Sequence, residues 1–180
     1  MSGCEFCGTA AGTLESDELY RDETVLAVLH RKPAAPGHIL LFSLEHFPIM
    51  EQVPDPVIAH AFVAANKLSI ALFETLNAQG SNVIIENGIP AGQTIPHFAL
   101  HIIPRAEQDG LRLEWQPKKY SDDEMDIALA QIREQAEGIN PGAFETEKKE
   151  VVLAGPEPAE EKPPQKKGRD YRLRQLRRIP

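Results

Sequence analysis

Two cysteines at C-x-x-C spacing, Cys4 and Cys7, and six histidines are the residues of this 180-residue chain with the clearest chemistry. Two thiolates at this spacing suit a zinc knuckle. A redox role asks for the pair to open a helix after a strand, and here it precedes every expected strand, which favours metal. Zinc needs two further ligands. His46 is expected at the end of a third strand and His97 at the start of a fifth, so both can lie near one end of a sheet. Cys4, Cys7, His46 and His97 therefore form a candidate Cys₂His₂ structural site. His60 falls in a long helix and reads as a partly buried surface histidine.

The second constellation is "HFALHIIPR", residues 97 to 105. In a strand, positions 97, 99 and 101 share a face. His97 and His101 thus flank a methyl group at Ala99, where a third imidazole would fit. The preceding "ENGIPAGQTIPH" places Gly88 and Gly92 around a turn, followed by Gln93 and Thr94. Glycines let a backbone approach a ligand closely, and exposed N–H groups with a Gln amide suit phosphate oxygens. A neutral imidazole can attack phosphorus, and a protonated one can donate to a leaving oxygen.

These residues need a scaffold. Five stretches read as strands, at 18–22, 24–31, 38–46, 81–88 and 97–105, from their apolar content and their Gly, Pro or Asn punctuation. Between the third and fourth, "DPVIAHAFVAANKLSIALFETLNAQG" has apolar residues at helical spacing, with Asp55–Pro56 as cap and first turn and Gly80 just past its end. A second helix is expected over 121–139, capped by Ser121 and acidic in its first turn. The fold class is α+β: an antiparallel sheet of about five strands crossed by one long helix.

The boundaries are set by composition. Residues 1–144 read as one domain and 145–180 as a Pro/Glu/Lys-rich arm with a basic, Arg-rich end. From Glu147 on there are ten basic and six acidic residues, so an acidic body near −12 carries a tail near +4. Such a body is no nucleic-acid glove. The arginines around Tyr171 could meet phosphates, but so short a segment makes few contacts. Nucleic-acid binding through the tail is therefore disfavoured against a solvated terminus or an arm docked on an acidic surface. No membrane span and no signal peptide are expected, which makes a cytoplasmic address the default and disulfides the wrong use for two thiols.

Taken together, "HRKPAAPGHILLFSLEHF" and "ENGIPAGQTIPHFALHIIPR" resemble the histidine-triad (HIT) superfamily of nucleotide hydrolases and transferases, over about residues 4 to 115. "RKPAAPGH" is most similar to the fragile-histidine-triad branch, which cleaves diadenosine polyphosphates. The C-x-x-C is instead similar to zinc-containing bacterial and archaeal members. The resemblance implies structural zinc on Cys4, Cys7, His46 and His97, contacts from Gln93, Thr94 and His101 to the α-phosphate, and a homodimer with its two sheets joined. His30 stands where the family usually has Asp or Asn at the ribose, and Glu86 where it has Asn or Gln near the nucleotide. Ala99 stands at the family's nucleophile, the histidine that becomes covalently nucleotidylated. A methyl group cannot attack phosphorus, so the chain is expected to bind nucleotides with little turnover. Dinucleoside polyphosphates such as diadenosine tetraphosphate are the expected substrates of the scaffold, with nucleoside phosphoramidates as the alternative. The intact phosphate loop favours an engineered His→Ala change at position 99 over a natural nucleotide-binding pseudoenzyme.

Overall fold

The structure is a computed structural model and describes residues 3–139. Its compact first unit, Met1–Gln116, contains the sheet, two α-helices and two short 3-10 helices. The second unit begins at Pro117, and its helix α3, Asp122–Ala136, carries the expected Ser121 cap. Ser121 and Glu124 satisfy each other's backbone N–H groups in a reciprocal capping box, and three acidic residues follow in the first turn. The expected change of character at residue 145, and the basic tail, lie outside the described residues.

Five strands form one antiparallel sheet: β1 Glu18–Arg21, β2 Val25–Leu29, β3 Ile39–Ser43, β4 Gly80–Ile84 and β5 Ala99–Arg105, in the order β1-β2-β3-β5-β4. The α+β expectation holds. In register, Leu40 faces His101 and Phe42 faces Ala99, while Leu41 faces Leu100. Strand alternation therefore sorts the side chains onto two faces. One face carries Val25, Ala27, Ile39, Leu41, Leu100 and Ile102, all buried under helix α2, Asp55–Leu76. The other carries Leu26, Val28, Leu40 and Phe42, and on it stand Ala99 and His101. Each fully buried Leu or Ile contributes roughly 1.5–3 kcal/mol.

Helix α2 approaches the sheet through the small residues Ala61, Ala64, Ala65 and Ser69, with Leu72 completing the stripe. It is long and apolar enough to cross a membrane by length and composition, yet this stripe is continuous with the core of the sheet. Its ends differ by a few residues from the sequence reading. Pro54 is the N-cap, and Asn77, at φ 52°, ends the helix. Asparagine tolerates the left-handed conformation, so Gly80 is free to open β4.

A short helix absent from the sequence reading, α1 Glu5–Ala10, begins directly after Cys4. Six residues are too few to be stable alone or to show a periodicity. Phe6 anchors it, stacked on Phe42 with ring centres 4.8 Å apart. The cysteine pair thus opens a helix, and among the described residues no strand precedes it.

Candidate nucleotide and metal sites

The sheet brings seven chemically capable side chains into two clusters. In the first, the Cys4 thiol lies 3.4 Å and the Cys7 thiol 3.7 Å from His97 Nδ1. Cys7 lies 3.3 Å from His46 Nδ1, and the two Nδ1 atoms lie 3.3 Å apart. A tetrahedral zinc about 2.3 Å from sulfur and about 2.0–2.1 Å from nitrogen spaces a sulfur and a nitrogen by about 3.6 Å and two nitrogens by about 3.4 Å. The four residues fit that ion. His97 also has the expected outer partner: its Nε2–H donates to the Ser43 carbonyl at 2.8 Å, which turns the Nδ1 lone pair toward the thiols. His46 and His97 lie just outside their expected strands, since β3 ends at Ser43 and β5 starts at Ala99. At that point the Phe98 N–H donates to Phe47 rather than to the strand ladder, freeing the chain to aim His97 at the cysteines. His60, expected in part buried, is exposed and pairs with Asp22 at 2.6 Å.

The second cluster is His30, His38 and His101, with one ring nitrogen of each within 4.8 Å of the others. It lines a cavity of about 630 Å³ together with Ala99, Thr94, Gln93, Glu86 and Lys32, a volume suited to a nucleotide-sized ligand. His97, Ala99 and His101 all reach this cavity, as the one-faced row required. Among these residues, sequence reasoning missed His38. It is buried, at 5 % exposure, one alternation before Leu40 and hence on the face of His101. Only the pairing of β3 with β5 reveals this, because the two histidines are 63 residues apart. The turn before it is tight: Gly37 has φ +85°, and a Cβ there would sit 2.3 Å from the Leu76 side chain.

Backbone donors fix the protons of this cluster. The Ala34 N–H donates to His38 Nδ1 at 3.1 Å, and the Lys32 N–H donates to His30 Nδ1 at 3.0 Å. Burial, with His30 and His101 alongside, pushes the His38 pKa down to about 4, so at neutral pH its one proton is on Nε2. From there it donates to His101 Nδ1 at 3.1 Å. His101, also held below its ordinary value by burial, then carries its proton on Nε2. A metal would need lone pairs that His30 and His38 have already given to backbone N–H groups. Despite its spacing, this cluster is a set of N–H donors, suited to an anion.

The loop before β5 is held by its own side chains. Gly88 and Gly92 adopt φ +88° and +99°. The Gln93 amide accepts from the Gly88 N–H at 2.8 Å and donates to the carbonyls of Pro48 and Ile95 at 2.7 and 3.0 Å. Its hydrogen-bonding groups are therefore engaged in shaping the loop, whereas Thr94 is exposed and lines the cavity. Asn87 clamps the other side by accepting from the Met50 N–H and donating to Glu51. Glu86 lines the cavity and draws the His101 pKa upward against burial.

Comparison with known proteins agrees with this geometry. The HIT domain family matches residues 11–108. An uncharacterized HIT-like protein of Methanocaldococcus jannaschii is 32% identical over 130 residues, covering 72% of this chain and 98% of that one. An adenylylsulfatase of Arabidopsis thaliana is 34% identical over 111 residues, and an asymmetrical bis(5′-nucleosyl)-tetraphosphatase of Schizosaccharomyces pombe is 32% identical over 94. Those matches cover 62% and 52% of this chain but span only 56% and 52% of those two proteins. Among solved structures, a HIT-family protein of Bacillus subtilis superposes with a TM-score of 0.69 at 29% identity, over 74% of this chain and 97% of that one. A zinc-bound histidine-triad protein of Mycobacterium smegmatis does so with a TM-score of 0.60 at 29% identity, with the same coverage. The chain belongs to the HIT family.

Proposed function

We propose that this protein binds the α-phosphate of a nucleotide or dinucleoside polyphosphate in the His101 cavity, on a nucleotidyl-hydrolase scaffold silenced at Ala99. The observation that carries this reading is the hydrogen-bond chain from the Ala34 N–H through His38 to His101. It presents an N–H donor to the cavity one alternation from Ala99, and a neutral imidazole that already donates there is neither base nor nucleophile. Thr94 adds a hydroxyl at the same wall, and Gln93 acts by shaping the loop. Relatives named for a dinucleoside tetraphosphate and for an adenylyl sulfate support a nucleotidyl anhydride, such as diadenosine tetraphosphate, as the ligand class.

Cys4, Cys7, His46 and His97 would hold zinc. Four protein ligands close the coordination sphere, so the ion's contribution is to tie α1 to the sheet. Two free thiols used as ligands suit a reducing, cytoplasmic setting. The open edge of β4 is where a second copy could extend the sheet.

The test is Ala99→His. The variant is expected to release mononucleotide from diadenosine tetraphosphate at least ~10³-fold faster than the parent chain, the scale on which a lost nucleophile is felt. A variant that releases none from dinucleoside polyphosphates or nucleoside phosphoramidates, or a parent chain already as fast, would contradict the reading.

A further inference from the structure

The cavity has a second polar end that the α-phosphate does not use. His30 forms it, stacked on His38 with ring centres 4.5 Å apart, and its centre lies 5.5 Å from that of His101. Because the Lys32 N–H occupies His30 Nδ1, a neutral His30 has only a donor, Nε2–H, left to offer. Lys32 lines the same cavity, is exposed, and has no carboxylate within ion-pair distance among the described residues. Its neighbour Arg31 is already engaged, with Glu5 at 3.7 Å and with the Glu15 carbonyl. The side chains of His30 and Lys32 therefore offer donors and no acceptor. Sugar hydroxyls need acceptors for their hydrogens, and these two side chains offer none. A phosphate has only acceptors at neutral pH and matches them. Two carboxylates line the cavity, Glu5 and Glu86. Glu5 is paired with Arg31 at 3.7 Å, which leaves Glu86 as the one without a cationic partner among the described residues to oppose a second anion. Glu86 lies on the Gly92 side, against which a Cβ at Gly92 would meet its carboxyl at 3.4 Å, and it acts on His101. A second phosphate is thereby directed to the His30 end.

We infer that His30 and Lys32 form a second anion subsite, and that the preferred ligand is a nucleotide phosphorylated on its sugar as well as at the 5′ position. This rests on the nucleotide reading above and adds the class of ligand. The separation of the His30 and His101 rings suits phosphates set across a ribose better than adjacent phosphates of one anhydride.

Calorimetric titration of the full chain separates the cases, using adenosine 5′-monophosphate, adenosine 5′-diphosphate and adenosine 3′,5′-bisphosphate, with the guanosine series in parallel. The 3′,5′-bisphosphate should bind at least ~10-fold tighter than the 5′-monophosphate, the effect of one charge-assisted contact. The 5′-diphosphate should gain little. His30→Asp should invert the preference, and the surface variant Lys32→Gln should weaken only the bisphosphate, several-fold. Equal affinity for mono- and bisphosphate, or an equal gain from the 5′-diphosphate, overturns the subsite and leaves the nucleotide reading standing. No binding by any of the six overturns both.

Discussion

The two clusters use the same side chain in opposite senses. At His97 a backbone carbonyl, that of Ser43, takes the Nε2 proton and leaves a lone pair facing two thiols. At His38 a backbone N–H, that of Ala34, takes the Nδ1 lone pair and leaves a proton facing His101. One imidazole is thereby left with a free lone pair, and the other with a proton that it gives to His101. Residue type and spacing alone cannot separate the cases, because the ring nitrogens of the three histidines lie within 4.8 Å of one another, as do the ligand atoms of the two cysteines and two histidines. The hydrogen-bond partner on the far side of each ring decides.

The largest break in this contrast is Cys7→Ala. Removing a zinc ligand should untie α1 and lower the melting temperature by on the order of 10 °C, with chelation of the parent protein giving a similar shift. An unchanged melting curve would mean the cluster holds nothing.

Acid is next in size. The folded pKa of His38, about 4, lies below its ordinary value of 6.5, so between those values the unfolded chain binds the proton more readily. The contribution is complete above pH 6.5 and declines as the pH falls toward 4, by on the order of 3 kcal/mol in total. Denaturant midpoints at pH 7 and pH 5 check this. His38→Phe should shallow the acid slope, and an identical slope in the variant would remove His38 as its source.

Gly37→Ala probes how His38 is placed. A side chain at φ +85°, 2.3 Å from Leu76, should cost about 1–3 kcal/mol in urea unfolding. Smaller still is the effect of His38→Phe on binding. Loss of the hydrogen bond that orients His101 should weaken nucleotide affinity about 10-fold by calorimetry, with zinc content intact. An undiminished affinity would show that His101 needs no orienting partner.

Much of this was legible in the sequence. The five strands, the long helix and the Cys4, Cys7, His46 and His97 grouping follow from periodicity and ligand spacing. The Ser121 cap was visible because its partner Glu124 is three residues away. Three features were hidden for physical reasons. Helix α1 is shorter than two turns, and its stability comes from Phe6 on Phe42, a contact distant in sequence. His38 acquires its role only through the β3–β5 register. Gln93 looks like a phosphate ligand by type, but its amide is engaged by three backbone groups that no local pattern announces.

The central claim is that only the first cluster takes a metal. Elemental analysis of the purified chain, Cys7→Ala and His38→Phe tests it most directly. The account predicts one zinc per chain in the parent and in His38→Phe, and none in Cys7→Ala. Two metals per chain in the parent, or loss of metal on replacing His38, would contradict it.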